Sequence, residues 1–139
     1  MVSGLKASLI LRAIMTLMFV MPTLIGCSDN PTSDDDGVRK NFTVNVTVLK
    51  GGDPAARRTV VFEATKTDLS GLPLGGDVLT ESKSTDSEGY CRWEFVFELT
   101  STEKAIVDVR VDETGTFYTE ETVFNFTGPT SKSVTVSME

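Results

Sequence analysis

Histidine is absent from the 139-residue chain. Without it, neither a Ser-His-Asp triad nor a Cys-His catalytic pair can be assembled. The nitrogen ligand of the common zinc sites is missing as well. We therefore expect neither these enzyme classes nor a bound metal or other cofactor.

Basic side chains are scarce beyond the N-terminal region. Lys6 and Arg12 precede residue 27, whereas all acidic residues follow it, so the chain after residue 26 has 11 basic and 20 acidic residues and a net charge of −9. A negative surface opposes binding to nucleic acid and electrostatic docking on anionic lipid. We expect no nucleic-acid partner, and we read the charge as a source of solubility.

No apolar run is long enough to cross a membrane. The uncharged stretch at residues 13–25 has 13 residues and contains Pro22, whereas a spanning helix needs roughly 20 apolar residues. Preceded by Lys6 and Arg12, this stretch matches the charged and apolar regions of a secretory signal. The sequence therefore predicts a leader at residues 1–26 that is removed by cleavage.

The leader ends in Leu24-Ile25-Gly26-Cys27, which resembles the lipobox of bacterial lipoproteins. The resemblance implies cleavage after the small Gly26 and acyl chains, such as palmitate, on Cys27. Two or more chains anchor a protein stably. Cys27 is followed by Ser28 rather than by Asp. By resemblance to lipoprotein sorting in enteric bacteria, this favours the outer membrane over the inner one, with the domain on its periplasmic or surface face. Ordinary secretory cleavage near the same place is the alternative.

Residues 27–40 are predicted to form a lipidated, flexible tether. This stretch is polar and acidic, so it cannot offset its ordering entropy by burial. Fully extended, residues 28–40 span about 40 Å at roughly 3.3 Å per residue. Asp34-Asp35-Asp36-Gly37 superficially suggests a calcium loop, but the alternating ligands and terminal glutamate of an EF-hand are missing. We therefore expect no metal site.

Residues 41–139 alternate between apolar and polar side chains with a period of two. Seven such segments, separated by turn residues, are typical of an all-β, seven-stranded antiparallel β-sandwich with Greek-key connections. The strongest segment surrounds Trp93 and places Cys91 on the same inward face, so we interpret Cys91 as core rather than as a nucleophile. The predicted core comprises Val46, Phe62, Cys91, Trp93, Phe95, Phe97, Val107 and Val109.

Three motifs carry a family resemblance. Gly52-Asp53-Pro54, Val60-Val61-Phe62 and the turn at residues 84–90 followed by Trp93 resemble the pattern of bacterial Ig-like and carboxypeptidase-regulatory (transthyretin-like) modules over residues 44–111. The connection at residues 69–76 is longer than in that pattern, so both topologies stay open. The resemblance implies a structural or binding module of the cell envelope.

Adjacent carboxylates are the remaining candidates for catalysis. Asp112-Glu113 and Glu120-Glu121 could supply the pair that glycoside hydrolysis requires. Neighbouring strand residues point to opposite faces, so these pairs should not converge on one bond. An enzyme would also need a pocket with converging polar groups, and residues 69–76 are where we would expect one. We predict that the protein is not an enzyme.

These features predict a lipid-anchored envelope module with a structural or protein- or polymer-binding role. The membrane is its first expected partner, through the acyl chains on Cys27. An envelope protein or a polysaccharide is the second. The alternative is a lipoprotein that captures carbohydrate or another substrate, for which Tyr90, Tyr118 and Phe117 are the candidate stacking residues.

Overall fold

The computed structural model describes residues 36–76 and 78–139. The predicted leader at residues 1–26, the lipidation site Cys27 and most of the predicted tether lie outside the described residues. No helix of the described part is long and apolar enough to span a membrane. Its strands are β1 (Val38–Lys50), β2 (Asp53–Pro54), β3 (Thr59–Asp68), β4 (Leu79–Ser84), β5 (Tyr90–Leu99), β6 (Glu103–Glu113), β7 (Thr116–Asn125) and β8 (Ser131–Met138).

The strands form two four-stranded sheets, which confirms the predicted all-β sandwich. In the first sheet, β1 lies between β5 and β8 and also pairs with the short β2. The second sheet has the order β4-β3-β6-β7. The β1–β8 pair is parallel, whereas all other pairs of these strands are antiparallel. The chain crosses from the second sheet to the first between β7 and β8, and β8 then lies beside β1 in the same direction.

The strand order separates this sandwich from the immunoglobulin arrangement. In a constant-type immunoglobulin domain the first two long strands share a sheet. Here the first two long strands, β1 and β3, lie in different sheets. Of the two topologies that the family resemblance implies, the immunoglobulin order is therefore not the one observed.

The space between the sheets is filled by the apolar residues of each alternating strand. Phe42, Val44, Val46 and Val48 of β1 are fully buried. Their partners on β5 lie beside them in the same sheet, and the inward residues of the second sheet face them. All eight residues of the predicted core lie in this cluster. Phe97 alone among them is only partly buried, and it lines a groove at the surface.

The domain starts earlier than the sequence predicts. Strand β1 begins at Val38, so residues 38–40, which the sequence analysis assigns to the tether, pair with residues 97–99 of β5. Backbone pairing extends this strand beyond the apolar alternation, which begins only at Phe42. The sequence does not predict strand β2 either. Its two residues are too few to show an alternating pattern, and backbone pairing with β1 after the Gly51-Gly52 turn defines the strand.

The two ends of the sandwich differ in character. At one, called here the loop end, β1 begins and β3 and β5 finish, beside the connection at residues 69–76. At the other, called the hairpin end, Thr114 and Gly115 turn the chain from β6 into β7. Lys50 Nζ lies 2.6 Å and Arg58 Nη2 3.0 Å from Glu113 Oε1 there, which ties β1 to the second sheet.

Candidate functional site

The connection at residues 69–76 is an ordered loop fastened by Asp68. The Asp68 Oδ1 atom accepts hydrogen bonds from Ser70 Oγ at 2.6 Å and from the Leu72 amide at 2.9 Å. The Asp68 amide donates to the Leu72 carbonyl at 3.0 Å, and the Leu74 amide donates to the Lys66 carbonyl at 3.2 Å. These bonds fold the loop back onto the end of β3.

This ordered loop holds apolar side chains in solvent. Leu69 is 60% and Leu72 66% exposed. Eight large hydrophobic residues are exposed in the described part of the chain, and five of them lie at the loop end. These five residues are called the apolar end: Val38, Leu69, Leu72, Leu74 and Val78. Single exposed hydrophobic residues are ordinary, whereas several at the same end of a domain indicate a candidate interaction surface.

A groove of about 330 Å³ lies beside the loop, at the place where the sequence analysis expects a pocket. Pro73, Val78 and Phe97 give it an apolar lining, and its charged residues are Lys66 and Glu98. Lys66 also pairs with Glu103 at 3.5 Å. Across the described residues, no group of three or more Asp, Glu, Cys or His side chains is arranged to hold a metal ion. The groove is suited to an apolar contact.

Replacing Asp68 with alanine should release the loop. The hydrogen bond from the Ser70 side chain is the main cause that lowers the pKa of the Asp68 carboxyl, and the Leu72 amide adds to it. A lowered pKa means that the carboxylate orders the loop at neutral pH and that this contribution is lost as the pH falls through that lowered value. We expect faster hydrogen exchange at Leu72, corrected for its intrinsic rate, in Asp68→Ala and in the wild type at acidic pH.

The control for this prediction is Asp112→Ala at the hairpin end. Asp112 also accepts a backbone hydrogen bond, from the Gly115 amide at 3.1 Å. Its removal should leave exchange at Leu72 unchanged. Equal protection of Leu72 in the wild type and in Asp68→Ala would show that the carboxylate does not order the loop.

The outer surface of the second sheet carries a row of carboxylates. Asp108 of β6 lies directly opposite Glu63 of β3 on one side and Glu121 of β7 on the other. The neighbouring Arg110 guanidinium lies 5.1 Å from the ring centroid of Phe117, which is 59% exposed. This surface is called the acidic face and comprises Val61, Glu63, Asp108, Arg110, Phe117, Thr119 and Glu121.

A shallow hollow of about 310 Å³ is centred on the acidic face, lined by Val61, Glu63, Asp108, Arg110 and Thr119. Like charges placed directly opposite in a sheet are destabilising. Three carboxylates in one row therefore reduce the stability of the fold. An arrangement that lowers stability in this way is characteristic of functional surfaces.

Asp108→Asn should stabilise the protein. The substitution removes the central charge of the row while keeping the side-chain shape, so the free energy of unfolding should rise by about 0.2–1 kcal/mol at low salt. Added salt should shrink the gain, because exposed charges are screened. Urea denaturation at two ionic strengths measures both effects. Glu88→Gln in the exposed turn before β5 is the control, and a gain of equal size there would refute the role of the row.

The proposed stacking residues do not form one surface. Tyr90 lies on the outer side of the first sheet, where its hydroxyl donates to Asn45 Oδ1 at 2.8 Å. Tyr118 belongs to the second sheet and packs against the core. Trp93 is 6% exposed and lies between Phe62 and Phe95, as the alternation predicts. Of the aromatic candidates, Phe117 is the most exposed, at 59% against 38% for Tyr90.

Cys91 is a core residue, as predicted. It is buried, and burial is the main cause that raises the pKa of its thiol to about 11, with the charge of Asp86 adding to the shift. A thiol with such a pKa is almost entirely protonated at neutral pH and is a poor nucleophile.

The two carboxylates of each adjacent pair lie in different surroundings. Glu113 is held by Lys50 and Arg58, while Asp112 accepts from the Gly115 amide. Glu120 lies opposite the buried Val109 and so belongs to the inward register of β7, whereas Glu121 belongs to the outer row with Asp108. Neither pair therefore presents both carboxylates to one bond.

No protein-family model matches the chain, and no curated protein matches it. Among solved structures it is similar to the 3-chlorocatechol 1,2-dioxygenase from Rhodococcus opacus 1CP, at 13% sequence identity and a TM-score of 0.43. The match covers 76% of this chain and 62% of that structure's chain, so this chain spans less than two thirds of its length.

Proposed function

We propose that this protein is a lipid-anchored, non-enzymatic β-sandwich module of the bacterial cell envelope that binds a partner protein. The observation that carries the proposal is the position of Leu24-Ile25-Gly26-Cys27, with ten residues between Cys27 and the start of β1 at Val38. A lipobox-like motif at the end of a cationic leader, followed by a short acidic stretch and a compact domain, is the organisation of a tethered module. The strand order favours the transthyretin-like topology over the immunoglobulin one.

The acidic face is the surface that best suits a partner. Phe117 supplies an exposed aromatic side chain of the kind that dominates interface energetics, and the carboxylate row of Glu63, Asp108 and Glu121 gives the same face negative charge. The negative charge of the acidic face favours a partner with a basic surface. Opposite electrostatic potentials raise the rate of association, and like charges disfavour other partners. The Arg110 guanidinium lies over the Phe117 ring, which leaves less of that ring free to stack on a sugar and disfavours a polysaccharide.

The anchor is tested by mass spectrometry of the protein from bacterial membranes. We expect the mature chain to begin at Cys27 and to carry acyl chains, and we expect Cys27→Ala to leave the membrane fraction. Recovery of an unmodified mature wild-type chain in the soluble fraction would refute the anchored module.

The partner surface is tested by photo-cross-linking in living cells. A cross-linkable amino acid at Thr119, inside the acidic face, should capture a protein, and capture should fall in Glu63→Gln/Glu121→Gln and with added salt in isolated envelopes. A probe at Glu88, in the exposed turn before β5, is the positional control, and Glu88→Gln is the charge control.

Three results would count against this function. Equal capture from both probes would contradict use of the acidic face. Cross-linking to polysaccharide alone would support the carbohydrate alternative. Turnover of any envelope substrate by the purified protein would overturn the non-enzymatic assignment.

A further inference from the structure

The apolar end lies beside the point where the predicted tether enters the domain. Strand β1 begins at Val38, which pairs with Leu99 at the end of β5. The groove beside the loop is lined by Phe97 and Glu98 of the same end of β5 and by Pro73 and Val78. The start of the first strand and the exposed leucines therefore share one end of the sandwich.

We propose that the loop end docks on the lipid bilayer, with Leu69, Leu72 and Leu74 entering the interface between headgroups and acyl chains. This inference rests on the proposed lipid anchor. Residues 28–37 join Cys27 to β1, and ten residues reach at most about 33 Å when extended. A domain held this close meets the membrane repeatedly at high effective concentration, and the surface nearest the attachment point is the one with exposed leucines.

The chemistry of the loop end fits a membrane surface. Apolar side chains enter the interface to a depth of about 5–10 Å, and the Asp68 hydrogen bonds have already ordered the loop, so docking loses little conformational entropy. The Lys104 Nζ atom lies 3.3 Å from the Leu69 carbonyl, which places a positive charge beside the leucines at the level of the headgroups. The binding is driven by apolar contact, so it does not require anionic lipid.

Docking at the loop end would set the orientation of the whole domain. The hairpin end, with Phe117 just after the β6–β7 turn, lies at the opposite end of β6 and β7. A domain seated on its leucines therefore points Phe117 away from the membrane. The orientation leaves the acidic face accessible to a partner.

The test is quenching of tryptophan fluorescence by brominated lipid. Leu72→Trp and, as its matched control, Phe117→Trp each place a second tryptophan at an exposed apolar position, while the native Trp93 is buried and gives a constant background. The full lipidated protein is reconstituted in phosphatidylcholine vesicles brominated near the headgroup end of the acyl chains. We expect a blue shift and quenching of the added emission from residue 72, and neither from residue 117.

Several outcomes would overturn the proposal. One is an emission spectrum typical of water at both positions, and another is equal quenching at both. A third is a blue shift at residue 72 that appears in native envelopes but not in pure lipid, which would assign the loop to a protein partner. A companion Leu69→Asp in the Leu72→Trp background should abolish quenching, and circular dichroism confirms that the variant is folded.

A second arm separates this inference from the proposed anchor. If mass spectrometry finds no acyl chains on Cys27, the proposed anchor fails while the loop can still be examined. The unmodified mature chain is then coupled through the Cys27 thiol to a maleimide lipid in the same vesicles. Quenching at residue 72 in the coupled chain would support an affinity of the loop for lipid, and its absence would refute the docking surface independently of the anchor.

Discussion

Phe95→Ala should lower the free energy of unfolding by about 3–5 kcal/mol, a large part of the stability of a domain of this size. Phe95 is the centre of the aromatic cluster between the sheets. Its ring stacks on Trp93 at a centroid distance of 4.5 Å and lies 5.4 Å from Phe42 and 5.9 Å from Phe124. Truncation removes contacts to both sheets and leaves a cavity that rigid strands cannot close. Urea denaturation followed by Trp93 fluorescence measures the loss.

The neighbouring Glu94→Gln is the matched control, because its side chain points outward from the same strand and is mostly exposed. Such a surface change should alter the free energy of unfolding by no more than about 0.5 kcal/mol. Similar effects of Phe95→Ala and Glu94→Gln would contradict the inward register of β5.

Gly89→Ala should lower the free energy of unfolding by about 2–4 kcal/mol, the sum of about 1 kcal/mol of backbone strain and about 1–3 kcal/mol of overpacking. Gly89 has φ = 72°, a conformation that side chains disfavour. An added Cβ would lie 2.5 Å from the Val48 carbonyl oxygen and 2.9 Å from the Ala55 amide nitrogen. Both are backbone atoms that also bond to each other, so neither can move without breaking the pairing of β1. Thermal and urea denaturation measure the loss.

Gly115→Ala separates the two contributions. Gly115 also has positive φ, at 86°, but an added Cβ there meets no atom within 4 Å. Only the backbone strain remains in Gly115→Ala, so the free energy of unfolding should fall by about 1 kcal/mol. Equal losses in Gly89→Ala and Gly115→Ala would show that the close approach to Val48 and Ala55 contributes nothing.

Most of the fold could be read from local patterns. The alternation in β1, β3, β5 and β6 assigned the inward residues, because a strand turns every second side chain to the same face. Cys91 and Trp93 were assigned to the core for that reason. The turn before β5 was also recognisable, since Gly89 needs positive φ and Asp86 accepts from the Tyr90 amide at 2.9 Å.

The candidate surfaces were only partly predictable. The sequence marked residues 69–76 as an unusually long connection and so located the groove. It did not indicate that Asp68 would hold the leucines outward. The acidic face was missed altogether, because Glu63, Asp108 and Glu121 are far apart in the chain and each has the ordinary appearance of a solvent-facing strand residue.

The sequence by itself determined the presence of the seven longer strands, their inward faces and the main residues of the core, since these follow from local periodicity. Only the tertiary structure decided which strands are neighbours. The parallel pairing of β1 with β8, the carboxylate row and the gathering of apolar residues at the loop end all depend on sheet order and register. Sheet order and register arise from contacts between distant segments, and a one-dimensional pattern of apolar and polar residues does not encode them.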